Sequence, residues 1–211
     1  MLDNHGFDMW ADGYDKSVNI SDNENEYPFA GYKKIMNAIY GKVMEKSPAK
    51  VLDIGIGTGT LAFKLYEAGN DITGIDFSME MLNQAKARML NAKLIQHDFS
   101  QGLPCELNEI KFDFIISTYA LHHLEDMSKV EFIKALLDNI NETGAIIIGD
   151  VAFQNRDGLE KCKNACGDSW DDDEFYMVFS ELYEKLYDVC VPTYHQYSHC
   201  SGILDIRPLH S

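Results

Sequence analysis

Three aspartates, Asp53, Asp76 and Asp98, each follow an apolar run, in "KVLDIG" (50–55), "DITGID" (71–76) and "KLIQHD" (93–98). Three carboxylates at neighbouring strand ends suit a cation, or a set of hydroxyl and amino donors. They would repel a pyrophosphate. Directly after the first of them, "VLDIGIGTGT" (51–60) places Gly55, Gly57 and Gly59 on alternate positions. Each glycine costs a regular element about 0.5–1 kcal/mol relative to alanine. Such a bare turn between a strand and a helix lets a ligand approach the backbone closely, with helix N–H groups at hand. Nicotinamide enzymes also use glycine-rich first turns. Here, however, the last glycine of the dinucleotide fingerprint, expected three residues after Gly57, is Thr60.

The surrounding elements must bring these residues together. After the glycines, Leu61, Leu65 and Ala68 recur at helical spacing up to Gly69. A helix is predicted over 79–90. "FDFIIST" (112–118) and "GAIIIGDV" (144–151) read as buried strands, and "DMSKVEFIKALLDNI" (126–140) as an amphipathic helix between them. Continuous apolar strands alternating with helices of 10–15 residues imply a parallel sheet covered on both faces. This is a doubly wound α/β fold, with its ligands at the carboxyl ends of the strands. Residues 1–48 read as a helical cap around "DMWADGYDKS" and "GYKKIMNAIYGKVMEK", with a polar loop, "NISDNENEY", between them. Residues 49–151 form the core, 152–192 a helical cover, and 193–207 a strand hairpin turning near Cys200 and Gly202. All four parts are expected to form one domain, 1–211. The acidic run 171–174 is expected in a first helical turn, where carboxylates favour the macrodipole. Tyr14, Tyr32, Trp170, Phe175 and Tyr176 are candidate pocket-lining aromatics of the cap and cover, with Tyr14 the candidate lid contact.

Composition narrows the partners. The 211 residues are 45% apolar, enough for a sizeable core. Lys and Arg number 18 against 34 Asp and Glu, a formal charge of −16 that phosphate backbones repel. Nucleic acid is therefore not an expected partner. The start of the chain lacks the basic flank and apolar core of a secretory signal, and no apolar run reaches the roughly 20 residues that span a bilayer. Five scattered cysteines fit reduced thiols in the cytoplasm. Cys162 and Cys166 lie one helical turn apart, but no Cys or His partners follow at finger-like spacing, and no metal is expected.

Taken in order, "VLDIGIGTGT", "GIDFSMEMLNQAKAR", "QHDFS", "FDFIISTYALHHL" and "GAIIIGDV" resemble the class I S-adenosylmethionine-dependent methyltransferases. "FDMWADGYD" near the start and "YHQYSHCSGIL" near the end look like a group of small bacterial methyltransferases. The resemblance implies a Rossmann-like, mostly parallel seven-stranded sheet with an antiparallel C-terminal hairpin. It implies S-adenosylmethionine as cofactor, with S-adenosylhomocysteine as product. Gly55, Gly57 and Gly59 would pack against the methionine moiety, with its ammonium near Asp53. Asp76 would take both ribose hydroxyls, Phe77 and Met79 would flank the adenine, Asp98 would accept from its amino group, and the Phe99 N–H would meet a ring nitrogen. Methyl transfer then needs an acceptor atom about 3 Å from the methyl, in line with the departing sulfur, with water excluded. The fourth strand end borders the methyl in this family, which makes Tyr119, His122 and His123 the candidates for a catalytic base. Adjacent residues on a helix do not share a face, so one of the two histidines is expected to point away from the site. Methyltransferases acting on exocyclic amines of bases carry Asn or Asp, two prolines and an aromatic at this point. Here Ser117, Thr118, Tyr119 and Ala120 stand instead. The expected activity is methyl transfer to a small-molecule acceptor by direct in-line displacement. The alternatives are transfer to a protein side chain, and binding of the cofactor without transfer.

Overall fold

The computed structural model describes residues 26–209. "DMWADGYDKS", most of the polar loop after it, and Tyr14 lie outside them. The helix predicted from "GYKKIMNAIYGKVMEK" is α1 (Tyr32–Met44). The core then alternates β1 (Lys50–Ile54), α2 (Thr60–Glu67), β2 (Asp71–Asp76), α3 (Met79–Arg88), β3 (Lys93–Gln96), β4 (Phe112–Thr118), α4 (Asp126–Leu137) and β5 (Ile140–Phe153). There follow α5 (Arg156–Cys166), the two-residue β6 (Met177–Val178), α6 (Phe179–Leu186), β7 (Cys190–Gln196) and β8 (Ser201–Pro208).

The sheet runs β3-β2-β1-β4-β5-β8-β7, with β6 pairing with β5 off this path. Strands β1 to β5 are mutually parallel, and β8 lies antiparallel between β5 and β7. This is the expected doubly wound sheet with its C-terminal hairpin. After β3 the chain returns to the other side of β1 to form β4, so the strand order reverses between β1 and β4. A crevice opens there at the carboxyl ends, where such sheets bind ligands.

Period-2 alternation with apolar residues on both faces makes two cores. Val51 packs with Ile35 and Ile39 of α1 and Leu61 and Leu65 of α2. Leu52 and Ile54 face the opposite layer, with Ile133 of α4 and Leu182 and Leu186 of α6. Glycine sets how closely α1 approaches. A Cβ on Gly149 would stand 2.4 Å from Ile35 Cγ2 and 2.9 Å from Ile39 Cδ1.

Three local readings are corrected. The helix predicted over 126–140 ends at Leu137, and Ile140 already pairs with Phe112 at the start of β5. Asn139 stops the helix, its amide donating to the carbonyls of Leu107 and Ile110 at 2.8 and 2.9 Å. The strand predicted over 144–151 is correspondingly longer, with a register break between Phe112 and Phe114. Second, the acidic run 171–174 is not in a helical turn. Met177 and Val178 pair with Ala152 and Phe153, so α6 begins only at Phe179 and the acids lie in the preceding loop. Third, the hairpin turn falls between Gln196 and Ser201, slightly before the expected point.

The Gly149 contact predicts that Gly149→Val destabilises the fold by about 1–3 kcal/mol through overpacking against α1. The urea midpoint of unfolding reads this loss directly.

Candidate active site

The glycine turn is held by the sheet. The N–H groups of Gly55 and Ile56 both donate to the Ile75 carbonyl, at 2.9 and 3.0 Å. Gly55 has φ +69°, and a Cβ there would stand 2.6 Å from the Ala120 Cβ. Gly57 has φ +54°, but nothing lies within 4 Å of where its Cβ would be. Gly55 is therefore required by packing and by its φ, and Gly57 by its φ, with open space beside it.

Asp76 ends β2 and is buried. Its Oδ2 accepts from the Gly57 N–H at 2.8 Å and its Oδ1 from the Ser78 N–H at 2.9 Å. It therefore shapes the glycine turn, with further lone pairs on both oxygens for a ligand. Asp98 is exposed and accepts from the Ser100 N–H at 2.9 Å. Ser100, through its side chain and its N–H, holds the Asp98 carboxyl below the ordinary range. Phe77 and Met79 lie between these strand ends, 67% and 49% exposed, an uncovered apolar pair beside polar ground. Phe99 is buried against Phe132.

Asp53 differs from the other strand-end acids. It is 2% exposed, and its Oδ1 has no hydrogen-bond partner. Burial, and then the charge of Asp76, raise its pKa well above the usual carboxylate range. A buried carboxylate oxygen without a donor is costly, on the order of 1–3 kcal/mol or more. An ammonium group in the crevice would relieve that cost. The unpaired acid, the open Gly57 cradle, the apolar pair and the exposed Asp98 together fit a ligand with an ammonium at one end and an adenosine at the other.

Across β4 the chain turns sharply. Tyr119 has φ +50° and its ring stacks on Tyr32, with centroids 4.9 Å apart. Its hydroxyl is buried without a hydrogen bond, although Ser201 lies beside it. A 3-10 turn, Leu121–His123, follows. Of the two histidines, His122 is buried and His123 exposed, and the two rings lie against each other. Their centroids are 4.3 Å apart, edge to face. The short turn, rather than an α-helix, makes this pairing possible.

His122 is anchored by a residue that the sequence reading passed over. Asp150, fully buried in β5, accepts from the His122 N–H at 3.2 Å and lies 2.6 Å from His122 Nδ1. The other ring nitrogen, Nε2, faces Glu174 Oε1 at 3.4 Å. Burial opposes the imidazolium, but the charge and hydrogen bond of Asp150, with the charge of Glu174, outweigh it and raise the His122 pKa. Burial and the neighbouring His122 lower that of His123. The Phe175 N–H donates to the His122 carbonyl at 2.8 Å, which brings the acidic loop to this turn. Trp170 and Tyr176 meet beside it, T-shaped at 4.9 Å, and Tyr27 stacks on Trp170 at 5.1 Å. Asp150 had a visible signal, since it is a fourth acid near a strand end, in "GAIIIGDV". Glu174 had none, being far from the histidines along the chain.

Residues 51–144 match a methyltransferase domain family. An uncharacterized methyltransferase of Anoxybacillus flavithermus is 40% identical over 155 residues, 73% of this chain and 69% of the relative. Among solved structures, an S-adenosylmethionine-dependent methyltransferase of Clostridium acetobutylicum superposes with a TM-score of 0.70 at 16% identity, over 92% of this chain and 98% of that one. The magnesium protoporphyrin IX methyltransferase of Synechocystis, with bound S-adenosylhomocysteine, gives 0.68 at 20% identity, over 97% and 95%. Both structural likenesses concern the fold.

Asp53 yields a prediction with a definite sign. A carboxyl whose folded pKa is raised stabilises the fold below its unfolded pKa, and that contribution is lost as pH rises toward the folded value. The ligand-free protein should therefore lose stability as pH climbs above the ordinary carboxylate range, near 3.9. Asp53→Asn should flatten this loss and raise the melting temperature near neutral pH. Thermal unfolding from roughly pH 4 to pH 8 checks both. An unchanged profile would mean that the buried carboxylate carries no such strain.

Proposed function

Because this chain belongs to the S-adenosylmethionine-dependent methyltransferases, we propose that it moves the methyl group to a small-molecule acceptor by direct in-line displacement. When bound, the cofactor supplies a sulfonium methyl, an electrophile strong enough that no covalent enzyme intermediate is needed. The work left to this chain is binding, orientation and exclusion of water. Asp53 answers the ammonium, Asp76 the ribose hydroxyls, and Asp98 with the Phe99 N–H the adenine edge. Gly55, Gly57 and Gly59 admit the methionine moiety, and Phe77 and Met79 cover the adenine. Tyr14 is the proposed lid contact.

The observation that carries the small-molecule reading is the aromatic wall at the ends of β4 and β5. Tyr27, Trp170 and Tyr176 pack ring to ring, and the Tyr27 and Tyr176 hydroxyls are hydrogen-bonded to each other. Phe29, Tyr32 and Tyr119 form a second group of rings. Such walls suit a compact, partly apolar acceptor whose reactive atom faces Tyr119, His122 and His123. The charge of −16 argues against nucleic acid as acceptor. The magnesium protoporphyrin IX methyltransferase, named for a small molecule, shares the whole fold. Among the described residues no helix is long and apolar enough to cross a membrane, and the described cysteines, all unpaired, suit the reducing cytoplasm.

Transfer of radiolabelled methyl from S-adenosylmethionine to a fractionated metabolite extract tests this function. Label confined to protein, or no transfer despite cofactor binding, would overturn it. The site assignments are read by calorimetric titration with S-adenosylhomocysteine. Asp76→Ala removes two charge-assisted bonds of roughly 1.5–3 kcal/mol each, and should weaken binding several hundredfold. Asp98→Ala removes one and should weaken it tenfold to a hundredfold. Because Asp76 also holds the glycine turn, the ordering is the firm part. Wild-type affinity in Asp76→Ala would refute the role.

A further inference from the structure

We propose that His122, His123 and Glu174 form a binding site for a divalent transition-metal ion, with Asp150 as the residue that positions His122. Each of the three side chains offers one ligand atom, and these atoms all lie within 4.8 Å of one another. The donor set is two imidazole nitrogens and one carboxylate oxygen, which suits zinc, cobalt or nickel better than magnesium or calcium.

The separations favour a ligand set over a simple ion pair. His122 Nε2 and Glu174 Oε1 stand 3.4 Å apart. A charge-assisted hydrogen bond is about 2.7–2.9 Å. Two ligands of a tetrahedral ion, each about 2.0–2.1 Å from the metal, are separated by about 3.3 Å. The second shell is equally specific. Asp150, buried and 2.6 Å from Nδ1, fixes the tautomer in which Nδ1 donates and Nε2 offers its lone pair. A carboxylate behind a histidine is the arrangement that orients imidazole ligands in metal proteins. The nearby cation, Lys129, is already held by the Leu124 carbonyl and Asp126. His123 is exposed and Glu174 partly so, which leaves an entry path from solvent.

Three protein ligands leave one tetrahedral position open. This part rests on the methyl-transfer reading above: an acceptor hydroxyl bound there would be oriented and acidified, releasing its proton to solvent. The metal site itself stands on the cluster alone.

Chelator-treated protein without a histidine tag, titrated with Co2+, tests the proposal through the visible absorption of the bound ion. One equivalent should bind, with the intense bands of a four-coordinate site. Glu174→Gln and His123→Gln should each weaken binding at least tenfold, and Asp150→Asn about tenfold to a hundredfold. His195→Gln, on β7, should leave it unchanged. Titration of Glu174→Gln with S-adenosylhomocysteine should give wild-type affinity and confirm that the variant is folded. Substoichiometric Co2+ binding, or affinity unchanged in both Glu174→Gln and His123→Gln, overturns the site. Failure of S-adenosylhomocysteine to bind the wild type while Co2+ still binds would overturn the cofactor reading and leave the metal site standing.

Discussion

The carboxylate of Asp76 couples the sheet to the ligand crevice. It takes the Gly57 N–H with one oxygen and the Ser78 N–H with the other, so one side chain fixes both the glycine turn and the entry to α3. With the Ile75 carbonyl holding Gly55 and Ile56, the turn is bound to β2 at three points. A backbone with positive φ at Gly55, Gly57 and Gly59 would otherwise be among the freest segments of the chain. Pinned in this way, it can present an open cradle at Gly57 without losing its shape.

The strand-end acids then divide by how they are satisfied. Asp76 and Asp98 accept backbone N–H groups, and Asp150 accepts the Val151 N–H and both the backbone and ring of His122. Asp53 alone among them keeps a buried oxygen with no donor. Buried polar atoms are almost always paired, so an orphan of this kind marks where a partner belongs. It stands on β1, next to the point where strand order reverses, which is where the fold brings its ligands. In the proposed reading, the ammonium of the cofactor is the partner that would relieve the burial of this carboxylate.

The sheet was legible because its signals are local. Apolar runs such as "FDFIIST" and "GAIIIGDV" are too continuous for anything but strands buried on both faces, and the glycine turn locates the crevice. The placement of Asp53, Asp76 and Asp98 near the ends of β1, β2 and β3 was legible for the same reason. What failed depended on long-range contacts. The acidic run 171–174 carries a good helix-start composition, but pairing of Met177 and Val178 with β5 outweighed that preference and kept it a loop. The same pairing delivers Glu174 to His122, a meeting that no spacing along the chain announces. Ile140 continues the apolar pattern of α4, and only the Asn139 side chain, reaching across to Leu107 and Ile110, shows that the helix has ended.

The two halves of the crevice therefore have opposite designs. On the β1–β3 side Asp76 and Asp98 rest on backbone N–H groups, Asp53 keeps an oxygen with no donor, and the exposed side chains Phe77 and Met79 are apolar. In the proposed reading, that half holds the cofactor. On the β4–β5 side the polar groups rest on one another: Asp150 on His122, His122 on Glu174, and Tyr27 on Tyr176. Those groups come from β5, the 3-10 turn, the acidic loop and Tyr27 ahead of α1, so only Asp150 among them stands on a strand of the parallel sheet. In the proposed reading the acceptor meets this half, where most of the polar groups stand on loops and turns rather than on strands. Tyr119 is buried where the two halves meet, its ring stacked on Tyr32 and Ser201 beside its hydroxyl.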